Sequence, residues 1–575
     1  MRAATGIPAP GDFASDAGAA DPALYDRSRW KAPAALNVDR PEVLFGDREV
    51  RAFRDRPVSY DAMFRDSCAL HPEAEAVVCG ERRYTYRALD ALVQRTATGL
   101  LVAGLQPGER IAVMLDNCAE FVVSILACVR AGGIAVPLGT RLGPSDVGYI
   151  MGNAEPAFVV MSPLYRAKFG GSQGVRRTFM VAASEHPSAL NSSEASFESL
   201  ALADADRPMP VLASEDTMMI IYTSGTTGKP KGACLTHVNF VHTCLHYLYA
   251  LQIDKPQRSL LVVPATHIAG FGPVLSVTLA SGGAVVLMRE FKARTVLETL
   301  QRERITYAVL VPSMYQLCVL NEHFAEYDLS RWMYGIYGGA IMPPAVIERF
   351  AAMQPTLRMI NAYGATETCA VCTIIPPELT RQAGSSVGLP LQCDDIVIVD
   401  ADGNEVGTDV SGELLIRGPN VIPGYWRDES STAKAFHEGY WRSGDIGSRD
   451  AQGLIYVHDR LKDMINRGGF KVFSAEVENA LLAHDAVVDC ALVGVPDEVL
   501  GERSFAFVQC RVASEDNSPA PKLLKDFLLA RIADYKVPDF WYVTTEAVPR
   551  NQNGKLQKDV IRKFALANMG AEARA

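Results

Sequence analysis

The sequence predicts an α/β protein that has a large N-terminal domain with several sheets and a smaller α+β C-terminal domain. Its length of 575 residues corresponds to several units of about 150 residues, the usual size of a domain. A strand–helix–strand pattern over residues 110–138 is typical of a parallel sheet. After Asp459 the alternation of strand and helix patterns begins again, over about a hundred residues, which is enough for a second domain.

The sequence patterns divide the chain into regions. Residues 1–56 are rich in Ala, Gly, Pro and Asp and lack sustained periodicity, so we predict a partly disordered N-terminal extension. Residues 57–458 form the large domain, and short strands split by turns from residue 396 onward predict a small barrel-like or mixed part within it. Residues 459–462 are a charged hinge, and residues 463–575 are the C-terminal domain.

Composition and charge narrow the classes of function. Hydrophobic residues make up 48% and charged residues 21%, as in an ordinary soluble protein. The net charge of −10 is a poor match for nucleic acid, which we therefore do not expect as a partner. The 12 cysteines follow no disulfide framework, and the longest apolar runs are too short to cross a bilayer. We expect a cytoplasmic protein with reduced thiols and no transmembrane segment.

A loop rich in glycine, hydroxyl and lysine side chains follows the apolar strand pattern of residues 218–221. Its glycines let backbone N–H groups converge, and its hydroxyl and ammonium groups suit a polyphosphate. It is not a Walker A loop, because Thr223 stands where the first glycine is required and Pro230 follows the lysine. The candidate phosphate-binding residues are Thr223, Ser224, Gly225, Thr226, Thr227, Gly228, Lys229 and Lys231.

Two further segments place carboxylates beside groups that suit a nucleotide. In residues 361–367 an aromatic, a glycine, a hydroxyl and a carboxylate follow an apolar strand. The aromatic can stack on a purine, and a lone carboxylate beside phosphates suits Mg²⁺. Asp445 stands on a glycine turn, where its oxygens can accept hydrogen bonds from both hydroxyls of a ribose, although an ordinary turn charge remains the alternative. Gly338 and Gly339 permit close approach of the backbone.

These ordered motifs resemble the adenylate-forming (ANL) superfamily, which includes acyl-CoA synthetases, aryl-CoA ligases, luciferases and peptide-synthetase adenylation domains. The resemblance covers roughly residues 57–564 and is strongest to acid–CoA ligases. It implies an enzyme that uses ATP, Mg²⁺ and CoA to convert an apolar carboxylic acid, fatty or aromatic, first to an acyl-AMP and then to an acyl-CoA. It also implies that the C-terminal domain is a mobile lid.

The resemblance implies a role for each matching residue. Glu367 and Thr223 hold Mg²⁺, Tyr363 flanks adenine, and Thr366 contacts the α-phosphate. Lys555 is the catalytic lysine, and its ammonium group is suited to bridge two anions that must react. Arg460 reaches the ribose or the phosphates. The other positions implied to bind nucleotide or CoA are Gly338, Gly339, Ala340, Asn361, Gly364, Asp445, Gly468 and Gly469.

The resemblance also implies a movement between two half-reactions. The C-terminal domain rotates about Lys462, which withdraws Lys555 and brings Gly468 and Gly469 toward the CoA thiol. His267 lies in a segment similar to the one that lines the acyl pocket. Many relatives carry an aromatic residue just before this histidine, whereas this chain has threonine. A gating role and a purely structural role for His267 both remain open.

Several other functions stay open at this stage. A ligase that loads a carrier protein, or a peptide-synthetase adenylation domain, would share the ATP chemistry, but amino acid activators generally have an Asp that residues 260–272 lack. A luciferase-like monooxygenase needs oxygen chemistry that no motif indicates. From a different class, an inactive acyl or nucleotide sensor is disfavoured because Lys555, Glu367 and Asp445 are all present. A homodimer is possible, and the acid is not identified.

Overall fold

The computed structural model describes residues 40–170, 174–182, 190–202, 207–223, 229–340, 342, 344–511, 521–550 and 556–572. Its strands are β1 (Arg40–Leu44), β2 (Arg48–Ala52), β3 (Glu75–Cys79), β4 (Arg82–Thr85), β5 (Arg110–Met114), β6 (Ile134–Pro137), β7 (Phe158–Met161), β8 (Arg177–Met180), β9 (Glu194–Ser196), β10 (Thr217–Thr223), β11 (Lys231–Thr236), β12 (Arg258–Leu261), β13 (Ala284–Leu287), β14 (Tyr307–Leu310), β15 (Tyr334–Tyr337), β16 (Arg358–Tyr363), β17 (Thr373–Ile374), β18 (Leu389–Pro390), β19 (Asp395–Val399), β20 (Gly412–Arg417), β21 (Phe436–His437), β22 (Tyr440–Arg449), β23 (Ile455–Arg460), β24 (Ile465–Arg467), β25 (Phe470–Val472), β26 (Val487–Asp497), β27 (Gly501–Cys510) and β28 (Phe540–Thr544).

The α-helices of the described ranges are α1 (Tyr60–Leu70), α2 (Tyr86–Val102), α3 (Ala119–Arg130), α4 (Pro144–Ala154), α5 (His237–Ala250), α6 (Ile268–Gly270), α7 (Val277–Ala280), α8 (Ala293–Arg302), α9 (Pro312–Val319), α10 (Pro344–Met353), α11 (Glu429–Ala435), α12 (Ser474–Leu482), α13 (Pro521–Leu529) and α14 (Lys558–Glu572). A π-helical segment, Phe271–Ser276, joins α6 to α7 in one continuous helical stretch.

A seven-stranded sheet has the strand order β11-β10-β6-β5-β7-β8-β9. Its neighbours are parallel except for the antiparallel pair β10–β11. The predicted strand–helix–strand unit over residues 110–138 is confirmed as β5, α3 and β6, with β5 parallel to β6. Helix α3 is buried along its whole length, because its side chains are apolar on nearly every face.

A nine-stranded sheet has the order β18-β17-β16-β15-β14-β12-β13-β3-β4, and its strands β16 to β3 along this order are parallel. The carboxyl ends of parallel strands share one edge of a sheet, which is where open α/β sheets bind ligands. The segments that follow β12, β15 and β16 begin at this edge, and they contain His267, Gly338 and Glu367 respectively. The topology therefore brings together three of the predicted site segments.

Residues 395–460 form a five-stranded antiparallel sheet where the sequence predicted a small barrel-like or mixed part. Its order is β19-β20-β22-β21, and β23 pairs with β22. Strand β23 continues to Arg460, which lies opposite Asp445 in the register. The predicted hinge, residues 459–462, therefore begins inside a strand of the large domain.

The C-terminal part has its own sheet and hydrophobic core. The strand order is β25-β24-β27-β26, and β28 runs parallel to β27. Helices α12 and α13 cover one face, where Leu481, Leu492 and Leu524 are buried together. Helix α14 covers the other face through Ile561 and Ala565. This arrangement confirms the predicted fold class, an α/β protein with a large N-terminal domain and a smaller α+β C-terminal domain.

Residues 40–56, which the sequence assigned to a partly disordered extension, pack against the large domain. Strands β1 and β2 form an antiparallel hairpin. Burial alternates along β2, so that Arg48, Val50 and Ala52 point inward, and Phe53 is fully buried. The structure differs from the prediction here because five-residue strands are too short to show a clear periodicity in sequence. Residues 1–39 lie outside the described ranges.

Two buried histidines of α5 receive this N-terminal segment. The N–H of Phe53 donates to His242 Nε2 at 3.2 Å, and the N–H of Tyr60 donates to His237 Nδ1 at 3.2 Å. The second ring nitrogen of His242 lies 2.9 Å from the carbonyl oxygen of Val238, to which it donates. Burial lowers the pKa of His237 to about 4 against the opposing effect of Asp216, and it lowers the pKa of His242 well below the usual range. Both rings are therefore neutral acceptors.

The described residues contain every cysteine of the chain and no disulfide. All 12 are free thiols. No described helix is long and apolar enough to cross a membrane. Among these residues no group of three or more His, Cys, Asp or Glu side chains could hold a metal ion.

We predict that the buried neutral histidines make the protein less stable in acid. An unfolded histidine has a pKa of about 6.5, so the unfolded state gains protons below that pH while the folded state does not. The free energy of unfolding should therefore fall by up to about 1.4 kcal/mol per histidine for each pH unit below about 6.5. In thermal denaturation, His242→Gln should lower Tm at neutral pH but reduce its further fall toward about pH 5. The exposed His437→Gln is the control, and an undiminished fall for His242→Gln would contradict the prediction.

Candidate active site

The ends of the phosphate loop are held by a hairpin of the seven-stranded sheet. Thr223 closes β10 and Lys231 opens β11, and the two residues are register partners. The ammonium group of Lys229 lies 5.8 Å from the ring centroid of Tyr149, and that of Lys231 lies 5.2 Å from the ring centroid of Tyr425. Ser224, Gly225, Thr226, Thr227 and Gly228, which the sequence also assigned to this site, lie outside the described residues.

Glu367 lies between the two large sheets. It belongs to a short 3₁₀ turn, Thr366–Thr368, that follows β16. Its Oε1 accepts a hydrogen bond from the hydroxyl of Tyr425 at 3.0 Å, and the hydroxyl of Thr223 lies 3.5 Å from the same oxygen. The structure thus brings together Thr223 and Glu367, the two residues that the sequence assigned to Mg²⁺.

This set of donors fits Mg²⁺. The ion prefers oxygen ligands, and proteins commonly hold it through one or two carboxylates together with substrate phosphates. Glu367 and Thr223 supply a carboxylate and a hydroxyl beside the phosphate loop. Among the described residues, the hydrogen bonds to the Glu367 carboxylate come from hydroxyl groups, so a cation would displace no ammonium or guanidinium group from that oxygen.

Glycines allow the backbone to pass close to itself around Glu367. A Cβ on Gly338 would lie 2.4 Å from the carbonyl oxygen of Ala362, and one on Gly364 would lie 2.4 Å from that of Ala370. The close approach predicted at Gly338 is therefore present. Ala370 itself has a φ of 94°, which is strained for a residue with a side chain. The backbone is thus held in a costly shape next to the carboxylate.

Gly339 and Asn361 belong to the same two segments. Gly339 has a φ of 77° in the turn that leads to Ala340, after β15. Asn361, expected to contact the nucleotide, donates its side-chain N–H to the carbonyl oxygen of Ser386 at 3.1 Å. This bond links β16 to the segment before β18.

Tyr363, Asp445 and Arg460 form a second cluster. The hydroxyl of Tyr363 donates to Asp445 Oδ2 at 2.6 Å, and the Nε of Arg460 lies 2.7 Å from Asp445 Oδ1. Burial, reinforced by Asp445, raises the pKa of Tyr363 well above its usual range. Burial lowers the pKa of Arg460, but Asp445 and its other neighbours outweigh this and raise it. A phenol donor, Tyr363, and a guanidinium cation, Arg460, therefore flank Asp445 on either side.

His267 precedes the helical stretch that contains α6 and α7. It occupies the N-cap position, and its carbonyl oxygen accepts from the N–H groups of Gly270 and Phe271, each at 3.0 Å. The following π-helical segment, Phe271–Ser276, is a deviation that often marks functional sites. A Cβ on Gly272 would lie 3.3 Å from Ala370 Cβ. The helical stretch that follows His267 thus packs against the residues just after the turn that carries Glu367.

The predicted hinge and CoA-binding turn lie on the surface. Lys462 is exposed in the turn between β23 and β24. Gly468 and Gly469, with φ of 59° and 90°, form the tip of the β24–β25 hairpin, and the N–H of Gly468 donates to the carbonyl oxygen of Leu500 at 2.7 Å. These contacts lie within the C-terminal domain. Lys555 lies outside the described residues.

A polar network ties the hinge strand to the C-terminal domain. Ser474 donates to Asp459 Oδ2 through its backbone N–H at 2.5 Å and through its hydroxyl at 2.7 Å. The ammonium group of Lys558 contacts the Ser474 hydroxyl and lies 2.8 Å from Glu478 Oε1. Because Lys558 opens α14, the network joins the strand before Lys462 to the helix that follows the position of Lys555.

Sequence reasoning missed residues 419–426, which we call the strap. Its Tyr425 contacts Glu367, and Asn420 donates to the carbonyl oxygens of Thr368 and Val371 at 3.2 and 2.6 Å. A glycine- and proline-rich segment that carries two adjacent aromatic residues between buried strands is the signal that could have drawn attention to it.

Comparison with known proteins identifies the family. The sequence model of the family described as AMP-binding enzyme matches residues 64–426, more than half of the chain. The chain belongs to the AMP-binding enzyme family. The model described as AMP-binding enzyme C-terminal domain matches residues 476–555. These matches confirm the resemblance to the adenylate-forming superfamily.

Curated relatives of this AMP-binding enzyme align along most of their length. It is 32% identical to a feruloyl-CoA synthase of Amycolatopsis sp over 494 residues, which are 86% of this chain and 96% of the relative. It is 30% identical to a long-chain-fatty-acid–CoA ligase of Mycobacterium tuberculosis over 508 residues, 87% of this chain and 97% of the relative. The chain is therefore similar both to a feruloyl-CoA synthase and to a long-chain-fatty-acid–CoA ligase.

Solved structures share the fold of this AMP-binding enzyme. The o-succinylbenzoate CoA synthetase of Bacillus subtilis in complex with ATP and magnesium ion superimposes with a TM-score of 0.75 at 27% identity, covering 86% of this chain and 98% of that one. A structure of that synthetase with its acyl-adenylate intermediate gives a TM-score of 0.76 at 27% identity, covering 87% and 97%.

We predict that Gly364→Ala damages the turn that holds Glu367. The added Cβ would overlap the Ala370 carbonyl, and overpacking of this kind costs about 1–3 kcal/mol. Thermal denaturation should show a lower Tm for Gly364→Ala. Gly148→Ala is the matched control, because a Cβ there meets nothing within 4 Å in α4, so its Tm should stay equal or rise. Equal Tm values for Gly364→Ala and the unmodified protein would contradict the assigned crowding.

Proposed function

We propose that this chain is an acyl-CoA ligase that activates an apolar carboxylic acid, fatty or aromatic, with ATP and Mg²⁺ and transfers the acyl group to CoA. The relatives reported above are CoA ligases that cover at least 86% of the chain, which supports the reaction type. The observation that carries the proposal is the Glu367 carboxylate, which lies beside the hydroxyls of Thr223 and Tyr425 at the end of the phosphate-loop hairpin.

The nucleotide would bind across the two clusters. Within the described residues, Asp445 Oδ1 is bound by Arg460 and Oδ2 by Tyr363. A carboxylate oxygen can accept more than one hydrogen bond, so the ribose hydroxyls can donate to them as well. The ring of Tyr363 would flank the adenine. Lys229 and Lys231, at the hairpin end, would bind the β- and γ-phosphates, with Thr366 at the α-phosphate.

In the first half-reaction the acid's carboxylate oxygen attacks the α-phosphorus. A bond forms between this carboxylate oxygen and the α-phosphorus. The bond from the α-phosphorus to the bridging oxygen of pyrophosphate breaks, and pyrophosphate leaves with the electron pair. No base is needed, because a carboxylic acid is already ionised near neutral pH. Lys555 would bridge the carboxylate and the α-phosphate, where negative charge develops. Glu367 and Thr223 would hold Mg²⁺, which when bound would supply further charge stabilisation for the phosphates.

In the second half-reaction the sulfur of CoA attacks the acyl carbon of the acyl-AMP. The carbon–sulfur bond forms, the bond from the acyl carbon to the phosphate oxygen breaks, AMP leaves, and the thiol proton passes to solvent. The C-terminal domain would rotate about Lys462, so that Lys555 withdraws and the exposed turn at Gly468 and Gly469 faces the CoA. A charged, solvent-exposed joint tolerates the backbone change that this requires.

The acid we propose is apolar. The helical stretch after His267 is buried and apolar, with Phe271, Val274 and Leu275 in the core. The named relatives act on a long-chain fatty acid and on an aromatic acid, so both classes are kept. His267 would border this pocket, and its ring would face the entrance of the pocket. Thr266 would leave more space at this entrance than an aromatic residue at the same position. A carrier-protein loader is the second candidate. It shares every step except the last, in which the thiol of a carrier protein would accept the acyl group in place of CoA.

We also propose the cytoplasm as the compartment, because 12 free cysteines are typical of a reducing environment. We propose no nucleic-acid partner, on the net charge of −10. A role in fatty acid metabolism rests on the fatty acid class alone and would follow if fatty acids are the better substrates.

Pyrophosphate release tests the proposed reaction. Acids of graded chain length and aromaticity should each be supplied with ATP and Mg²⁺, with and without CoA. We expect acid-dependent release that continues over many turnovers only with CoA. Lys555→Ala should lower release by at least about 100-fold but leave thioester formation from supplied acyl-AMP largely intact, because the lysine acts on the first half-reaction. Lys563→Ala, on α14, is the matched control.

Two outcomes would reject the proposed reaction. A sensor would release no pyrophosphate with any acid, and a carrier-protein loader would show no stimulation by CoA. If Lys555→Ala slowed both half-reactions equally, the role assigned to this lysine would be wrong even though the overall activity stood.

We predict that Lys462→Pro separates the half-reactions in the opposite sense. Proline fixes φ near −65°, which should block the rotation while leaving the ATP site unchanged. A single turnover of pyrophosphate release should stay within about threefold, and thioester formation from supplied acyl-AMP should fall by at least about tenfold. Lys462→Ala removes the charge but keeps the backbone free and is the matched control. Normal thioester formation by Lys462→Pro would remove Lys462 as the hinge.

A further inference from the structure

Arg48, in strand β2 of the N-terminal hairpin, reaches into the strap. Its side chain is 7% exposed. Its Nη1 donates to the carbonyl oxygens of Val421 and Ile422 at 3.2 and 2.8 Å, and its Nη2 lies 3.5 Å from that of Pro423. The guanidinium also lies 4.5 Å from the ring centroid of Phe436. One cation therefore holds three consecutive carbonyl groups.

Because Arg48 is buried and charged, its contact with the strap requires one arrangement of the carbonyl groups. Burial lowers the pKa of Arg48 to about 10, against the opposing effect of Asp47, so the side chain remains charged at neutral pH. A buried charge is tolerated only where hydrogen bonds replace its hydration. The planar guanidinium meets this need only if the carbonyl groups of the strap stay in one arrangement. The strap is thus fixed by a partner outside residues 64–426, which the family model matches.

The strap in turn connects Glu367 to the phosphate-loop hairpin. The N–H of Ile422 donates to the carbonyl oxygen of Glu367 at 2.9 Å, and Tyr425 donates to its carboxylate. Beyond Tyr425, the N–H of Trp426 donates to the carbonyl oxygen of Gly232 at 2.7 Å. Ile422 is thus bound to Arg48 through its carbonyl and to Glu367 through its N–H.

We propose that Arg48 is a positioning residue for the Glu367 metal site, acting through the strap. Arg48 makes no hydrogen bond to the Glu367 carboxylate or to the described ends of the phosphate loop, but it fixes the peptide groups from which both the backbone and the side chain of Glu367 are held. This inference rests on the proposed function, because it takes Glu367 as the residue that binds the metal·nucleotide. It extends that site to a hairpin near the N-terminus.

The test compares metal binding with catalysis. Mn²⁺, which takes oxygen ligands as Mg²⁺ does, can be followed by electron paramagnetic resonance as it binds with ATP. We expect Arg48→Met to weaken Mn²⁺ binding in the presence of ATP by about tenfold, as is usual when the groups that orient a metal ligand are lost. The Mg²⁺ concentration for half-maximal pyrophosphate release should rise by a similar factor. Thioester formation from supplied acyl-AMP should change less than about twofold, because it does not use the metal·pyrophosphate contacts.

Arg56→Met is the matched control. Arg56 lies in the same N-terminal segment, is also largely buried, and pairs with Glu42 at 2.6 Å and with the carbonyl oxygen of Phe53 at 2.8 Å. Its loss should lower Tm without changing the Mn²⁺ affinity. Equal loss of Mn²⁺ affinity in Arg48→Met and Arg56→Met would overturn the inference, since it would reflect general loosening of the hairpin.

A double-mutant cycle with Tyr425→Phe provides the second measurement. If Arg48 acts through the strap, the Arg48→Met/Tyr425→Phe variant should bind Mn²⁺ about as weakly as the weaker single variant. Fully additive losses would overturn the inference. If Arg48→Met fails to fold, Arg48→Lys replaces it in the same double-mutant cycle. Lysine keeps the charge but lacks the planar guanidinium that binds three carbonyl groups at once.

The outcomes separate this inference from the proposed function. If the unmodified protein releases no pyrophosphate with any acid, the proposed function fails. If the unmodified protein is active and Glu367→Gln loses Mn²⁺ binding while Arg48→Met and Arg48→Lys keep it, only the role of Arg48 fails.

Discussion

The hydrogen bonds from two hydroxyl groups to one carboxylate, Glu367, join parts of the fold that are distant in sequence. Thr223 comes from the seven-stranded sheet, Glu367 from the edge of the nine-stranded sheet, and Tyr425 from the strap. Hydroxyl donors orient a carboxylate without neutralising its charge, whereas a lysine or arginine in their place would compete with a bound cation. If Glu367 binds a metal·nucleotide and later releases metal·pyrophosphate, as proposed, neutral donors at this position are an advantage. Placing this carboxylate accurately depends on how the sheets pack, which is why strained and glycine-dependent backbone surrounds it.

The second carboxylate, Asp445, is held in the opposite way. A guanidinium and a phenol occupy it, so it suits neutral hydroxyl donors such as those of a ribose better than a metal ion. Arg460 also provides the carbonyl oxygen that accepts from the N–H of Asp463 at 2.9 Å and so closes the turn of the hinge. A nucleotide bound at Asp445 would thus contact the side chain that pairs with Arg460. Arg460 is the last residue of β23, after which the chain leaves the large domain. The difference between the two carboxylates follows from their surroundings: Glu367 lies in a short turn after β16, whereas Asp445 lies within β22, where the sequence predicted a glycine turn.

The sequence predicted features that depend on local pattern, and it missed those that depend on long-range packing. Strands β5, β6 and β10 and the helix α3 follow from apolar runs and periodicity, and the close backbone approach at Gly338 follows from its lack of a side chain. Tyr425 and Arg48 could not be found in this way, because they contact positions 58 and more than 370 residues away in the chain. The hairpin of β1 and β2 is not predictable from sequence for the same reason: its burial comes from α5 and the strap and not from its own pattern. The assignments of Lys555 and of Ser224 to Gly228 rest on sequence alone, since these residues lie outside the described ranges.

The position of the hinge at the end of a strand limits what can move. Asp459 and Arg460 remain in the large domain through β23, and the chain leaves it in the following turn. Across this turn, Ser474 ties α12 back to Asp459 by two hydrogen bonds to one carboxylate oxygen. Hydrogen bonds to charged groups contribute about 1.5–3 kcal/mol each. If the C-terminal domain rotates about Lys462 as proposed, separating Ser474 from Asp459 costs the free energy of these two hydrogen bonds, and new contacts of similar strength must offset this loss. Bound CoA can supply such contacts, because it is present only for the second half-reaction. The same bonds make the arrangement seen here a discrete state, so that the domain would change between two packings and would not drift between them.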